Sequence, residues 1–580
     1  MIWNNRTQVL SVCLFAVLSG PVLAAEDELD GDSKRSEPVQ ADDRISVTTT
    51  RLERDMLETP LAVTSVAEEA LQAGRQHLQL EEGLNRVPGV FFQNRYNFAQ
   101  NQRIAIRGFG ARSPFGIRGI RLLVDGFPET LPDGQAQVDG IDLESLVSAE
   151  ILRGPSSALH GNASGGVINL ETEDGQDLEP SAELRATFGE FGFERLGVRG
   201  GGQFDDWNAY LSAWDLSYDG YRVQSRTEKR LLNAHLGRRL GPGQRANLVL
   251  TVLDQPRGED PSALTLTQVV QDRRAAGGQA VQVDSRQVVD QYRLGMRYED
   301  DDLLNGRFST YAFLANRDFF QQLPSSFFPS LIEFDRDFFG AGAQYIRDLP
   351  LGSRIASFTV GLDFARQRDD RQRFTVSSSG ERRGQTQDEL QQAANLGVFA
   401  QVDLPVNDRW SAVVGLRHDR VKLDIEDRFT QGAGSGQREF DESSWTTGLN
   451  YRISYNQQLY LNAGTAFETP TFTEIKDAAG GVGFSQSIDP QLARNFEAGY
   501  RLRGEKTTLD LTAFRVMTRD EIVVVSAIDG LNLFDNAGKT ERDGIEASLA
   551  VELTERISVH TAYTYSRFRF DAFQDGSEVF

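Results

Sequence analysis

The residues able to do chemistry are scattered in this chain. Its histidines are His77, His160, His235, His418 and His560. No two of them have metal-ligand spacing, and HExxH is absent. Carboxylates are many but spread over loop-like text. The serine of GNASGG is not in a GxSxG nucleophile turn, and no triad partners accompany it. IRGFG lacks the glycine spacing and the following helix of a dinucleotide fingerprint. The single cysteine, Cys13, lies in an apolar run near the start. Disulfides and thiolate metal sites in the remainder are therefore excluded. These residues argue against an enzyme and give no catalytic set, metal site or cofactor.

The chain is organised around Ile104–Leu170, where glycines punctuate short β-branched runs. Ile104–Ile106, Leu122–Val124, Glu150–Leu152 and Val167–Leu170 each read as a strand. Asp125-Gly126 and Pro132-Asp133-Gly134 read as tight turns, because Gly tolerates positive φ and Asp bonds its own backbone. Leu80, Leu84 and Val87 fall at helical spacing, and Pro88-Gly89 ends that helix. The strings IRGFG, LLVDG, PDGQ and LRGPSSALHGNASGGVIN occur here in one order. That order closely resembles the plug domain of TonB-dependent outer-membrane receptors. The resemblance implies an N-terminal α/β plug in the lumen of a 22-strand transmembrane barrel.

From about Ser181 the text shifts to period-2 alternation. Examples are Ala182–Phe188, Ala209–Trp214, Leu459–Ala463, Thr508–Phe514 and Ser558–Tyr563. Apolar residues on one face and polar ones on the other suit strands between lipid and a polar lumen. Short polar turns, such as Gly241–Gln244 and Asn456–Gln458, alternate with long stretches at Gln255–Gln282 and Glu426–Glu442. That asymmetry is outer-membrane barrel architecture, and the fold class expected is all-β dominated. About seventeen strands can be counted, against 22 in a complete family barrel with a plugged lumen. DAFQDGSEVF has no alternating strand before Phe580, so the barrel is expected to be incomplete, and the sequence a fragment.

Composition agrees with this class. Net charge is -23, which argues against a nucleic-acid partner. The apolar run Val9–Leu18 follows Arg6 and precedes small residues at Ala24 and Ala25. It is too short to span a bilayer and reads as a cleaved signal peptide over 1–25. Residues 26–50 are expected to be disordered, with a short β-prone segment at Ile45, Ser46, Val47, Thr48 and Thr49. An extended segment on a tether can add as a strand to a partner's sheet. The resemblance makes it the Ton box, which pairs with the TonB protein of the inner-membrane energising complex; the alternative is an ordinary first plug strand. The short spacer before it leaves no room for a further signalling domain. The plug is expected over 51–178 and the barrel over 179–580.

The resemblance also implies site residues. Arg107 of IRG and Arg153 of LRGP should meet Glu497 of NFEAGY and Glu546 of DGIEASL. Such pairs would be bidentate and charge-assisted, and would hold the plug in the barrel. Arg95, Tyr96, Phe98, Arg112, Phe115 and Gln135 should reach the outward apex and touch ligand, or else pack the plug against the wall. Arg317 with Phe319, Phe320, Phe327 and Phe328 reads as extracellular-loop text that could grip a flat anionic iron chelate, or else as an interfacial girdle. His160 stands where the family has tyrosine in ALYG; packing is its expected role, with protonation near neutral pH as the alternative. The expected function is TonB-dependent import of a ferric siderophore across the outer membrane. Cobalamin, haem, copper or carbohydrate are the alternative ligands, and a passive porin or adhesin is the alternative class.

Overall fold

The computed structural model describes residues 11–16, 46–52, 54–113, 116–324, 329–475, 484–528, 531–572, 574–575 and 578–579. A small mixed sheet runs in the order Val63–Ala67, Leu146–Arg153, Gly166–Thr172, Ile120–Val124, Phe127–Pro128. Only Gly166–Thr172 and Ile120–Val124 pair in parallel. A hairpin of Val90–Gln93 and Arg103–Ile106 lies beside it. The expected helix is one turn, Glu81–Leu84. Gly83 inside it and Pro88 after it leave no room for more. Leu80, Leu84 and Val87 are buried as expected, packed with Ile104, Ile106, Ile120, Leu122 and Ile168.

Seventeen antiparallel strands follow, from Ser181–Gly189 to Ile557–Ala572, each paired with its sequence neighbour. The sheet has an eighteenth strand, Ser11–Ala16, which pairs antiparallel with Ile557–Ala572 and closes the barrel. This differs from the expected open edge. The last strand's unpaired N–H and C=O groups accept any β-prone segment within reach, and the apolar N-terminal run supplies one.

The strands are longer than expected, up to 24 residues, as in Arg382–Pro405 and Leu531–Thr554. About 9–11 tilted residues cross a bilayer, so the barrel continues well beyond the lipid. Trp410–Asp427 displays this on its outward face. Trp410, Val414 and Leu416 form an exposed apolar band, and His418 and Arg420 follow in the same alternation. Consequently the connections are shorter than the text suggested. Gln255 belongs to strand Gln244–Glu259, and Gly436 already begins strand Gly436–Ser454. The remaining long connections are 260–285 and 469–490, both at one end. The other end has short turns such as Asp205-Asp206 and Gly352-Ser353. The small mixed domain fills the lumen between these ends.

Candidate functional site

Arg107 follows the strand Arg103–Ile106 in a left-handed backbone conformation, φ 50°. That turn aims its side chain at the barrel wall. Its Nε and Nη2 donate to Glu546 Oε1 and Oε2 at 2.8 and 2.9 Å, and its Nη1 donates to Glu497 Oε2 at 2.7 Å. Arg153, at the end of Leu146–Arg153, places Nη1 3.2 Å from Glu546 Oε2 and donates to the Pro88 carbonyl at 2.9 Å. The Phe514 ring lies 4.2 Å from the Arg107 guanidinium. All four charged side chains are almost fully buried, Arg107 and Glu546 at 1% exposure. Burial alone would lower the Arg107 pKa; the Glu546 and Glu497 carboxylates reverse this and hold it above its ordinary value. Gly89 makes the approach possible. Its φ is 79°, and a Cβ there would overlap Glu546 Oε1.

The segment assigned to TonB lies at the short-turn end. Ile45 falls outside the described residues. Ser46–Val47 pairs antiparallel with Arg54–Asp55. Beyond it the backbone is held by one carboxylate. Thr48 N–H donates to both Glu150 oxygens at 3.0 Å, and Thr49 N–H donates to Oε2 at 2.9 Å. The His160 Nε2–H donates to the Thr49 carbonyl at 2.7 Å. Burial pushes the Glu150 carboxyl up, and the N–H groups of Thr49 and Thr48 pull it back only in part. Burial and the nearby Arg51 guanidinium hold His160 well below its ordinary pKa, so its ring is neutral. Arg51 itself ties the strap to the wall through Asp363 at 2.8 Å. Thr48, Thr49, Arg51 and His160 line a cavity of about 270 Å³ shared with Arg297, Tyr311 and Asp363.

At the opposite end the expected ligand residues divide. Arg95 pairs with Glu81 at 2.8 Å and is 63% exposed, with Tyr96 beside it at 46%. Gln135 donates to Asp133 at 2.8 Å. These three are at the apex. Phe98 instead packs edge-on against Tyr218, at 6.1 Å. Arg112 meets Glu468 at 2.9 Å, Glu474 at 3.0 Å and Gln491 at 2.9 Å. It is a tie between plug and barrel. Arg317 and the two phenylalanines after it lie in strand Arg307–Leu323, not in a loop. Arg317 forks onto Asp139 of the plug at 2.6 and 3.1 Å. Phe319 faces the lumen, stacked on Phe334 at 4.5 Å. Phe320 points outward, against Leu331 and Phe374. Strand alternation imposes that split. Phe115, Phe327 and Phe328 lie outside the described residues.

Several ties were not read from the sequence. Arg118 reaches Glu474 at 3.2 Å and the Thr469 carbonyl. Arg195 meets Glu144 at 2.8 Å. Arg417 bridges Asp419 and Asp363 at 2.7 and 2.8 Å. FETPTFTE supplies both Glu468 and Glu474, so two acids in one turn-like string were the available signal.

A plug domain tied by buried ion pairs into a long-stranded barrel defines a gated outer-membrane receptor. Residues 227–579 match the family model described as TonB dependent receptor-like, beta-barrel, and residues 55–167 match the TonB-dependent Receptor Plug Domain. The chain belongs to the TonB-dependent receptor family. It is 22% identical to the Rhizobactin receptor of Rhizobium meliloti (strain 1021), over 96% of this chain and 82% of the relative. It is 31% identical to the Hemin receptor of Yersinia enterocolitica, over only 30% of this chain and 24% of the relative. The solved structure of the unliganded ferric citrate transporter FecA superposes with a TM-score of 0.77 at 18% identity, covering 91% of this chain and 81% of that one. The fold implies residence in the outer membrane.

Proposed function

We propose that this receptor imports a ferric siderophore in a TonB-driven cycle. The carrying observation is the contrast in how the plug is held. Its body is tied by buried Arg107 and Arg153 to Glu497 and Glu546. Its N-terminal strap hangs at the short-turn end from neutral and single-carboxylate hydrogen bonds to the plug, with one ion pair, Arg51 to Asp363, to the wall. A passive pore has no use for a plug with so many buried ties. A strap beginning at Ser46-Val47 offers extended backbone to an added strand of TonB. Ligand binding at the apex would bias the strap toward release, and a pull on it would then remodel the plug. The Rhizobactin receptor, whose match spans most of the chain, supports a siderophore over cobalamin, copper or sugar. Haem ligation is poorly served: His77, His160 and His235 are buried in packing, and His418 contacts Ser443 on an exposed surface.

Residues 1–25 are proposed as an export leader, whose removal would take Ser11–Ala16 out of the sheet. Mass spectrometry of the mature N-terminus tests this; a chain retaining Cys13 refutes it. Import is tested by iron-limited growth on a panel of ferric siderophores, with and without Val47→Pro. Growth on one chelate, lost with the proline, is the expected result. Growth that survives the proline would refute TonB coupling.

A further inference from the structure

The lumen wall opposite the apex carries two arginines that the plug does not use. Six arginines at the plug–barrel boundary, Arg107, Arg112, Arg153, Arg195, Arg317 and Arg336, each meet a carboxylate. Arg371 and Arg373 differ. Both lie on strand Arg354–Val376, on the same face as the buried Gln367 and Asp369. That face is the lumen. Among the described residues neither makes an ion pair. Arg373 donates only to Ser330 Oγ, at 3.4 Å, and its Nε has no partner. The Arg371 guanidinium lies 5.7 Å from the Phe334 ring, and the Asp369 and Glu389 carboxylates act on it without pairing with it. Arg336, already forked onto Asp369 at 2.8 and 2.6 Å, lies 4.6 Å from the same ring. Phe334 is fixed by its stack on Phe319.

The place matters as much as the charge. Phe334 lies directly across the ladder from Arg371, and Ile332 across from Arg373. Strand Arg307–Leu323, next but one to the arginines' own, touches the plug apex, where Gln321 donates to the Ala99 carbonyl. The pair therefore faces the vestibule between apex and long loops. Residues two apart on a strand are about 6.5–7 Å apart, so the two guanidinium groups can each take one carboxylate of a single ligand. A guanidinium fork matches a carboxylate in two parallel hydrogen bonds, and does so best when partly dehydrated. Glu389 lies across from Arg371 and accepts from Gln391 at 2.7 Å.

We propose that Arg371 and Arg373, beside the face of Phe334, form a carboxylate-binding subsite, and that the cargo is a ferric chelate of net negative charge. This rests on the import reading and narrows it. A cationic trihydroxamate chelate would meet two like charges here, at a cost in affinity.

The test measures binding to the full chain in detergent, by quenching of tryptophan fluorescence. The probes are ferric citrate and ferrioxamine B, a ferric chelate of net positive charge. Ferric citrate is expected to bind and ferrioxamine B to bind at least about tenfold more weakly. Arg371→Gln with Arg373→Gln should weaken ferric citrate by about a hundredfold. Arg371→Lys, which keeps the charge and loses the fork, should weaken it by about tenfold. Heat-modifiable mobility on a gel reports that each variant is folded. Failure of ferric citrate to bind, or equal binding by the double variant, overturns the subsite. If ferrioxamine B binds instead, the import reading survives without it. If no ferric chelate binds or supports growth, both fall.

Discussion

The plug is held at two places, and they are built on opposite principles. At Arg107 the attraction is between full charges. Two arginines and two glutamates balance, are nearly water-free, and fork onto one another. At Glu150 a single carboxylate gathers backbone N–H groups, with a neutral histidine beside it and no cation among its hydrogen-bond partners. Breaking the first leaves charges stranded in a dry interior. Breaking the second releases two N–H groups and a carbonyl that water can satisfy. The difference suits a plug body that persists and a strap that leaves. The first contact lies among C-terminal barrel strands and the second among turns at the short end, so the two can be perturbed separately.

The largest effect should come from Glu546→Ala. It leaves Arg107 with only Glu497 and Arg153 with only the Pro88 carbonyl, and half-broken buried pairs cost about 3–5 kcal/mol. The urea midpoint of the plug, followed by Trp214, which donates to plug residue Asp142 at 2.8 Å, should fall, and proteoliposomes should leak small solutes. An unchanged midpoint would mean the cluster does not hold the plug. Next is Gly89→Ala. The left-handed φ and the overlap with Glu546 together cost about 1–3 kcal/mol. Combined with Glu546→Ala, the two losses should be less than additive, because the overlap is gone. Full additivity would separate Gly89 from the cluster.

Glu150→Ala should act on the other side of the comparison. It removes charge-assisted hydrogen bonds to a segment whose donors find water when free, so about a tenfold rise in released strap is expected. A spin label at Ser46 would report it as mobility. The urea midpoint of the plug should hardly move. If midpoint and mobility change together, the two contacts are one cooperative unit.

How much of this was legible in the sequence depends on what sets each contact. Arg107, Arg153, Glu497 and Glu546 sit in strings that carry both the charge and the glycines needed for close approach, so motif reading reached them. Strand existence was legible from period-2 alternation. Strand ends were not, because above the lipid the outward face turns polar, as at His418 and Arg420 on Trp410–Asp427, while pairing continues. The same misreading put Arg317 and Phe320 in a loop. Arg317 and Asp139 are 178 positions apart, and no local pattern marks such a partner. Glu150 read only as a strand residue; its service to Thr48 and Thr49 depends on a chain reversal at Arg51, φ 66°.

The smallest expected effect is also the one that tells the two contacts apart by pH. His160 is neutral in the docked state with its pKa pushed below the ordinary 6.5. A group depressed by docking supports docking above 6.5 and withdraws that support as pH falls below it. Burial raises the Glu150 carboxyl above its ordinary 4.5, while the docked N–H groups of Thr49 and Thr48 pull it down, so its hold on the strap is strongest when the carboxylate is ionised. Arg51 and Asp363, which face His160, form their own pair at 2.8 Å, and Arg121 stays charged. From pH 6.5 downward His160 therefore acts first, and strap release should rise several-fold, less than the roughly tenfold of Glu150→Ala. His160→Gln keeps an N–H donor and has no proton to gain, so its release should be flat over that range. The Arg107 cluster should show no change there, since its arginine is held above its ordinary value by two carboxylates. A wild-type strap as immobile at pH 5.5 as at pH 7.5 would make His160 a packing residue after all.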